Sequence, residues 1–230
     1  MVIQAVLFDL DNTLTHRDLS IEAYSRYLHQ AYAHSLAHDQ VTAITAIIKH
    51  IDQGVYPQKQ LLTHPSIAAS VAYALQQQLV WRHTPYVDEL TQFWFKYFGS
   101  CAVPMLGAQA LLEQLKQQSF KLGVISNGEH QSRLNILQGL GFLDYFDVVH
   151  SSELVGVAKP NAEIFLHTAQ ALDLAAHECV FIGDHPVNDI HGAQQAGMRA
   201  VWLQGFHAEI QPFKVAKIEY LAELWHHLEP

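Results

Sequence analysis

Short apolar segments of strand length alternate with helical segments from about residue 103 onward. Four strands are predicted in this region, at residues 121–125, 146–149, 179–182 and 199–202. Helices are predicted between them at about 130–138, after Pro160 and at about 188–196. Gly139 and Gly141 follow the first of these, as residues that tolerate the left-handed conformation at a helix end. This alternation is typical of a doubly wound parallel sheet with helices on its faces.

The segment 2–10 belongs to the same predicted sheet, although a long helical block separates it from the later strands. It is rich in Val, Ile, Leu and Phe, as a buried parallel strand is. Residues 18–98 are helical in pattern, with one apolar face marked every four residues by Ile67, Val71, Leu75 and Leu79. We therefore predict an α/β core of residues 1–15 and 100–230, with an all-helical domain of residues 16–99 inserted into it.

The amino-acid composition argues against some classes of binding partner. Lys and Arg total 13 against 22 Asp and Glu, a net charge of −9 with His neutral. An acidic chain without a basic stripe does not suit nucleic acid, whereas one or two cations suffice for a phosphorylated small molecule. The apolar runs are too short to cross a bilayer, and the N-terminus lacks the basic start of a signal peptide. We therefore predict no nucleic-acid or membrane partner, a cytoplasmic location, and either a monomer or a homodimer.

Two aspartates follow the first predicted strand at its carboxyl end. Asp9 and Asp11 are two residues apart in VLFDLDNTLT, so an extended backbone points both side chains to the same side. Paired carboxylates can hold a hard divalent cation such as Mg²⁺. One of them can also attack as a nucleophile while the other transfers protons. For this motif alone, a strand-end turn capped by aspartate is the alternative.

Two more polar clusters lie at later strand ends and helix starts. Ser126 and Asn127 follow the strand at 121–125, where a hydroxyl and backbone amides suit a phosphate oxygen. Either side chain could instead cap the next helix. Lys159 precedes Pro160 at a helix start, where it suits a bound phosphate or is a solvated surface lysine.

The last cluster contains two acids. Asp184 follows the strand at 179–182, and Asp189 lies five residues further on. Together they could complete a metal site, or they could be turn and helix-end aspartates. Because the carboxyl ends of parallel strands meet at one edge of the sheet, we expect all four clusters to converge there.

In this order, the four clusters resemble the motifs of the haloacid dehalogenase-like hydrolase superfamily over essentially the whole chain. The matching residues are Asp9-Leu10-Asp11-Asn12-Thr13, Ser126, Lys159, and Gly183-Asp184 with Asp189. The helical insertion at 16–99 is similar to the cap domain of that family. The resemblance therefore implies a Rossmann-like catalytic core with an inserted helical cap.

The resemblance also implies a magnesium-dependent phosphatase that works through an aspartyl-phosphate. Asp9 would be the nucleophile, and Asp11 would protonate the leaving alcohol and then activate water. The Asp9 carboxylate, the Asp11 backbone carbonyl and Asp184 would hold Mg²⁺. Asp189 would either bind the metal through water or orient Lys159.

Phosphate binding is implied for four residues. The Ser126 hydroxyl, the Lys159 ammonium, and the backbone amides of Leu10 and Asn127 would hold the phosphoryl oxygens. The string GDHPVNDIHGAQQAGM at 183–198 is similar to phosphatases that act on flavin mononucleotide, riboflavin precursors and nucleoside monophosphates. His185 in this string is expected near the mouth of the site.

Three alternatives stay open at this point. A sugar phosphomutase uses the same four motifs, and a 2-haloacid dehalogenase of the same superfamily lacks an acid at the position of Asp11. A catalytically silent protein that binds phosphorylated metabolites is the non-enzyme alternative, against which the complete set of motif residues argues. The aromatic segment FWFKYF at 93–98 could stack on a flavin or a base, although aromatic residues at helical spacing usually pack in a core.

Overall fold

A computed structural model of the chain describes residues 2–208 and 215–228. The chain divides into two compact units, one formed by Met1–Thr15 with Pro104–Pro230 and the other by His16–Val103. The short helical turn Gly99–Cys101 therefore falls in the second unit.

The first unit contains a six-stranded, fully parallel sheet in the order β3-β2-β1-β4-β5-β6. Its strands are β1 (Ala5–Phe8), β2 (Lys121–Ser126), β3 (Val148–Ser151), β4 (Cys179–Gly183), β5 (Arg199–Leu203) and β6 (Ala216–Ile218). The central strand β1 reads AVLF and is buried along its whole length, as expected for a strand paired on both sides. The predicted doubly wound α/β core is confirmed. The sequence did not predict β6, a three-residue edge strand.

The order of the strands determines where a site can form. From β1 the chain runs outward through β2 and β3, then returns to the other side of β1 to form β4 and β5. The strand order therefore reverses beside β1, between β1 and β4. In open α/β sheets, ligands bind beyond the carboxyl ends of the strands at such a switch point.

The helices of the first unit follow the strands and cover the sheet. They are α5 (Ala108–Gln117), α6 (His130–Gly139), α7 (Ser152–Val155), α8 (Ala162–Ala171), a π-helical turn (Pro186–His191) and α9 (Gly192–Gln195); the numbers α1 to α4 belong to the second unit. Local capping defines several of these ends, since Ser151 accepts from the amide of Leu154 at 3.1 Å. A helix was predicted at 188–196, where the structure has the π-helical turn followed by α9.

A buried histidine lies between β3 and α8. His150 is 8% exposed, and its Nδ1 is 3.0 Å from the hydroxyl of Thr168. That hydroxyl donates to the carbonyl of Ile164 at 2.8 Å, so it accepts from a protonated Nδ1. Burial, together with the neighbouring His167 and His130, lowers the pKa of His150 from 6.5 to about 4. The folded chain therefore keeps this imidazole neutral.

We expect this histidine to make the fold sensitive to mild acid. Below pH 6.5 His150 binds a proton in the unfolded chain, whereas in the folded chain it stays neutral down to about pH 4. Stability from this group is thus present above pH 6.5 and is lost as the pH falls towards 4. Urea unfolding from about pH 7 to about pH 5 should show a smaller loss for His150→Asn than for wild type. Equal losses would contradict the assignment.

The second unit is all-helical. Its helices are α1 (Arg17–Ala31), α2 (Val41–Asp52), α3 (Ile67–Gln78) and α4 (Val87–Tyr97). A buried ion pair joins the first two, with Nη2 of Arg17 2.7 Å from Oδ2 of Asp52. No helix of the described residues is long and apolar enough to cross a membrane.

The aromatic segment 93–98 packs inside the second unit. Trp94 and Phe98 are 7% and 4% exposed, and their rings are stacked with centroids 4.3 Å apart. Tyr24 packs edge-on against Trp94 at 4.9 Å, and Phe93 contacts Tyr97 at 4.6 Å. Tyr24, Trp94 and Phe98 lie in the apolar interior of the helical unit, and Phe93 and Tyr97 are half-buried, in agreement with the packing interpretation of the sequence.

Candidate functional site

The loop after β1 places two carboxylates at the edge of the sheet. The amide of Asp9 donates to the carbonyl of Ile182 in β4 at 2.8 Å, which continues the ladder one residue beyond the strand. The chain then turns sharply, because the carbonyl of Leu10 accepts from the amides of Leu14 at 2.9 Å and Thr15 at 3.0 Å. Asp9 and Asp11 are 4% and 3% exposed, so both carboxylates are withdrawn from bulk water.

Lys159 bridges two of the aspartates. Its ammonium lies 2.6 Å from Oδ1 of Asp9 and 2.7 Å from Oδ1 of Asp189, and its side chain is 1% exposed. Although burial by itself lowers the pKa of Lys159, the carboxylates of Asp189 and Asp9 raise it above its usual value. The lysine is therefore a fixed positive charge, and it is not the solvated surface residue that the sequence left open.

The side chain of Asn127 holds the backbone of Lys159. Its Oδ1 accepts from the amide of Lys159 at 2.9 Å, and its Nδ2 donates to the carbonyl of the same residue at 3.1 Å. The sequence predicted Asn127 as a phosphate-binding residue through its backbone amide. The structure adds this second contact, which places the lysine relative to the end of β2.

The loop after β4 is shaped by Asp189. Its Oδ1 accepts from Lys159 and its Oδ2 accepts from the amide of His185 at 2.9 Å. A Cβ on Gly183 would overlap the Asp189 side chain, so only glycine allows this close approach. The carbonyl of Asp184 accepts from the indole of Trp202 at 2.7 Å, which fixes the backbone of the acid that follows the strand.

Three buried carboxylates form a group that fits a cation. Asp9, Asp184 and Asp189 each offer one oxygen, and these oxygens lie within 4.8 Å of one another. Burial raises the pKa of Asp9 well above its usual range, and the carboxylates of Asp189 and Asp184 add to this while Lys159 opposes it. Burial also raises the pKa of Asp184 to about 6. Oδ1 of Asp184 has no hydrogen-bond partner among the described residues. This all-oxygen donor set fits a divalent metal.

Metal binding gives a test that needs no substrate. Mg²⁺ should raise the thermal midpoint of the wild-type protein, because an ion that binds the folded chain stabilises it. At a free Mg²⁺ concentration one hundred times the dissociation constant, the free energy of unfolding should rise by about 2.7 kcal/mol. Asp184→Asn should lose most of this rise, because it removes a carboxylate from the buried donor group. Without metal, the variant should be as stable as wild type or more so, since one buried charge is gone.

A matched control is available in the same unit. Asp173 is exposed and has a φ of 57°, a conformation that asparagine tolerates. Asp173→Asn should keep the full magnesium-dependent rise measured by differential scanning fluorimetry. An unchanged rise in Asp184→Asn would contradict the proposed donor set.

Asp11, the second carboxylate of the β1 loop, forms an ion pair with a residue outside the four motifs. Nη1 of Arg133, on α6, lies 2.6 Å from Oδ2 of Asp11 and 3.4 Å from the hydroxyl of Ser126. Sequence reasoning missed Arg133, although a cation in the helix after the Ser126-Asn127 cluster was a usable signal. It also missed His207, whose Nε2 lies 3.2 Å from Oδ2 of Asp184.

All the predicted clusters therefore meet beyond the carboxyl ends of β1, β2 and β4. Ser126 is 2% exposed at the end of β2, and Leu10 is fully buried in the β1 loop. His185 lies beside Asp184, with its ring 4.5 Å from that of His207. The hydroxyl of Thr13 is buried in the β1 loop and has no hydrogen-bond partner among the described residues.

Comparison with known proteins agrees with the family that the four motifs resemble. Residues 3–197 match the family model described as haloacid dehalogenase-like hydrolase. Glyceraldehyde 3-phosphate phosphatase of Pyrococcus abyssi is 26% identical over 208 residues, which cover 88% of this chain and 82% of the relative. Pyrimidine 5'-nucleotidase YjjG of Escherichia coli is 34% identical over 142 residues, covering 61% of this chain and 62% of the relative.

A similar solved structure has a different activity in its name. The 2-haloacid dehalogenase from Pseudomonas syringae pv. Tomato DC3000 is 29% identical, with a TM-score of 0.62, and the match covers 99% of this chain and 98% of that one. Phosphatases and dehalogenases are thus both among the similar proteins, and the chemistry of the site has to separate them.

Proposed function

Because the chain belongs to the haloacid dehalogenase-like hydrolase family, we propose that it is a magnesium-dependent phosphomonoester hydrolase acting through an aspartyl-phosphate at Asp9. The phosphatase names of its relatives support an enzyme that hydrolyses phosphoric monoesters. The observation that carries the proposal is that the two carboxylates of the β1 loop, Asp9 and Asp11, have different charged partners. Asp9 lies in the buried carboxylate group with Lys159, whereas Asp11 pairs with Arg133, whose Nη1 also lies 3.4 Å from the hydroxyl of Ser126.

In the first half-reaction, a carboxylate oxygen of Asp9 attacks phosphorus. The new bond joins that oxygen to phosphorus, the ester P–O bond breaks, and the leaving oxygen takes a proton from Asp11. Lys159 offsets the repulsion between the carboxylate and the anionic ester. Mg²⁺, held by Asp9, the Asp11 backbone carbonyl and Asp184, would supply further charge neutralisation at the phosphoryl oxygens.

In the second half-reaction, water attacks the phosphorus of the aspartyl-phosphate. Asp11, now ionised, accepts a proton from that water while the bond from phosphorus to Asp9 breaks. Inorganic phosphate leaves and the nucleophile is restored. Ser126, Lys159 and the backbone amides of Leu10 and Asn127 hold the phosphoryl oxygens in this proposal, and Asp189 orients Lys159 through the contact at 2.7 Å.

A 2-haloacid dehalogenase is the second candidate, favoured by the similar solved structure. Displacement of a halide needs no proton donor for the leaving group, so it gives no role to the acid at position 11. Here Asp11 is buried and its carboxylate is held by Arg133, an arrangement that a proton donor for the leaving group explains. These features favour a phosphomonoester over a carbon–halogen bond. A sugar phosphomutase would use the same residues.

For the substrate, we propose a small phosphorylated metabolite of the flavin mononucleotide, riboflavin-precursor or nucleoside monophosphate type. Similarity to a pyrimidine nucleotidase supports the nucleotide class, and similarity to a glyceraldehyde 3-phosphate phosphatase supports a smaller ester. The packing of the aromatic segment in the helical unit gives no support for ring stacking. The cap role of that unit and the cytoplasmic location stay predictions.

Phosphate release from a panel of esters tests this proposal. The panel contains flavin mononucleotide, uridine monophosphate, glyceraldehyde 3-phosphate, a hexose phosphate and 4-nitrophenyl phosphate, with 2-chloropropionate as a halide-releasing probe. We expect phosphate release that requires Mg²⁺ and stops with a chelator. Chloride release would favour the dehalogenase, and an isomerised hexose phosphate without free phosphate would favour the mutase. No phosphate from any ester by the folded, magnesium-loaded protein would overturn the phosphatase.

A further inference from the structure

Arg133 is a buried cation of the site that the four motifs do not include. Its side chain is 12% exposed, and its Nη1 is 2.6 Å from Oδ2 of Asp11. This is the length of a strong charge-assisted hydrogen bond. Its Nε is buried and has no hydrogen-bond partner among the described residues. The guanidinium is thus largely buried in the site, whereas the side chain of Lys116 in the Lys116–Asp147 ion pair is 37% exposed.

The position of Arg133 is set by the turn after β2. α6 begins at His130, so Arg133 lies in its first turn and reaches back over the turn to Asp11. Gly128 has a φ of +130°, and a Cβ there would lie 3.3 Å from the guanidinium. Because glycine has no side chain, position 128 leaves space for the guanidinium. Ser126, the last residue of β2, lies just before this turn, and its hydroxyl is 3.4 Å from Nη1.

The charges of the site separate into two groups. Lys159 contacts Asp9 and Asp189, on the side of the proposed nucleophile. Arg133 contacts Asp11, on the side of the proposed proton donor. Lys159 contacts both of its carboxylates through a flexible ammonium, whereas a guanidinium is planar and directional and fixes the orientation of the carboxyl group it binds.

We propose that Arg133 is the positioning residue of Asp11. This inference rests on the proposed phosphatase function, in which Asp11 transfers the proton of the leaving group. Nη1 holds Oδ2 of Asp11 and so restrains the orientation of the carboxyl group. Without the arginine, Asp11 keeps its place in the chain but loses a charged contact that orients its carboxyl group. Proton transfer depends steeply on such orientation.

The first test compares two kinds of leaving group. 4-Nitrophenolate leaves without a proton, whereas the alcohol of an alkyl ester needs one. Arg133→Met should lower kcat/KM, which reports the steps up to departure of the leaving group, about 10- to 100-fold for the alkyl ester of the panel that wild type hydrolyses fastest. The loss of kcat/KM for 4-nitrophenyl phosphate should be less than about threefold, although its kcat falls wherever the later activation of water by Asp11 limits turnover. Arg133→Lys, which keeps the positive charge and N–H donors but not the planar guanidinium, should recover part of the kcat/KM for the alkyl ester.

The second test asks whether Arg133 acts through Asp11. In a double-mutant cycle, Arg133→Met should cost little more once Asp11 is asparagine, because the orientated group is already gone. Additive losses, equal losses of kcat/KM for the two kinds of ester, or full activity of Arg133→Met would each overturn the inference. If Arg133→Met fails to fold, as judged by its thermal midpoint, Arg133→Gln replaces it in both tests.

The two proposals fail in different ways. If wild type releases no phosphate from any ester, the phosphatase function fails. If wild type is active and Asp9→Asn is not, but Arg133→Met behaves like wild type, only the role of Arg133 fails.

Discussion

Asp9→Asn is expected to lower magnesium-dependent phosphate release by at least about 1,000-fold while leaving the protein folded. The amide keeps the size of the side chain but lacks the anionic oxygen that attacks phosphorus. The fold should not suffer, because the variant removes a carboxylate whose pKa burial already raises well above its usual range. Lys159 also keeps its contact with Asp189 at 2.7 Å.

The measurement is initial rates on the best ester of the panel, together with mass spectrometry of acid-quenched protein. Wild type should carry a phosphoryl group on the peptide that contains Asp9, and the variant should carry none. Asp173→Asn, an exposed substitution of the same kind, should keep the wild-type rate. If Asp9→Asn retained more than about a tenth of the activity, the nucleophile would have to be another group.

Much of this site is predictable because its residues follow strand ends. Once the pattern of strands indicates a parallel sheet, the residue after each strand must lie at one edge. The register confirms this for β1 and β4, since Phe8 pairs with Ile182 and brings Asp9 next to the Gly183-Asp184 turn. The geometry of the backbone ladder thus brings together acids that are 175 positions apart in the sequence.

The contact of Arg133 with Asp11 does not follow from the strand pattern alone. A side chain on a helix reaches a site only if the helix has the right rotation, and tertiary packing and the preceding turn decide that rotation. Here the turn depends on Gly128, which leaves room for the guanidinium. The side-chain contact of Asn127 with the backbone of Lys159 was also unpredictable, because it joins two loops that the sequence separates by 32 residues.

The ends of the elements were less well predicted than their existence. The first strand was predicted over 2–10 and extends over Ala5–Phe8, because the ladder hydrogen bonds end where the β1 loop turns. The helix predicted at 188–196 begins instead as a π-helical turn at Pro186. Within that turn, Asp189 is directed to both Lys159 and the amide of His185.

Lys159→Met is expected to have the largest effect on stability. The side chain is 1% exposed between Asp9 and Asp189, so its removal leaves two buried carboxylates without their shared cation. Breaking a buried ion pair by removing one partner costs about 3–5 kcal/mol. We expect a loss of about 3 kcal/mol in the free energy of unfolding without metal, measured by urea titration. Phosphate release should fall at least about 100-fold, because the charge that offsets the anionic ester is gone.

Two comparisons separate this effect from general damage. Lys116→Met breaks an exposed pair with Asp147 and should cost less than about 1 kcal/mol. Two hydrogen bonds of the Asn127 side chain go to the backbone of Lys159, so they survive the substitution. If uncompensated charge is the cause, adding Asp9→Asn to Lys159→Met should recover part of the lost stability, because one of the two carboxylates becomes neutral. A double variant no more stable than Lys159→Met would instead indicate that lost packing around the lysine stem dominates.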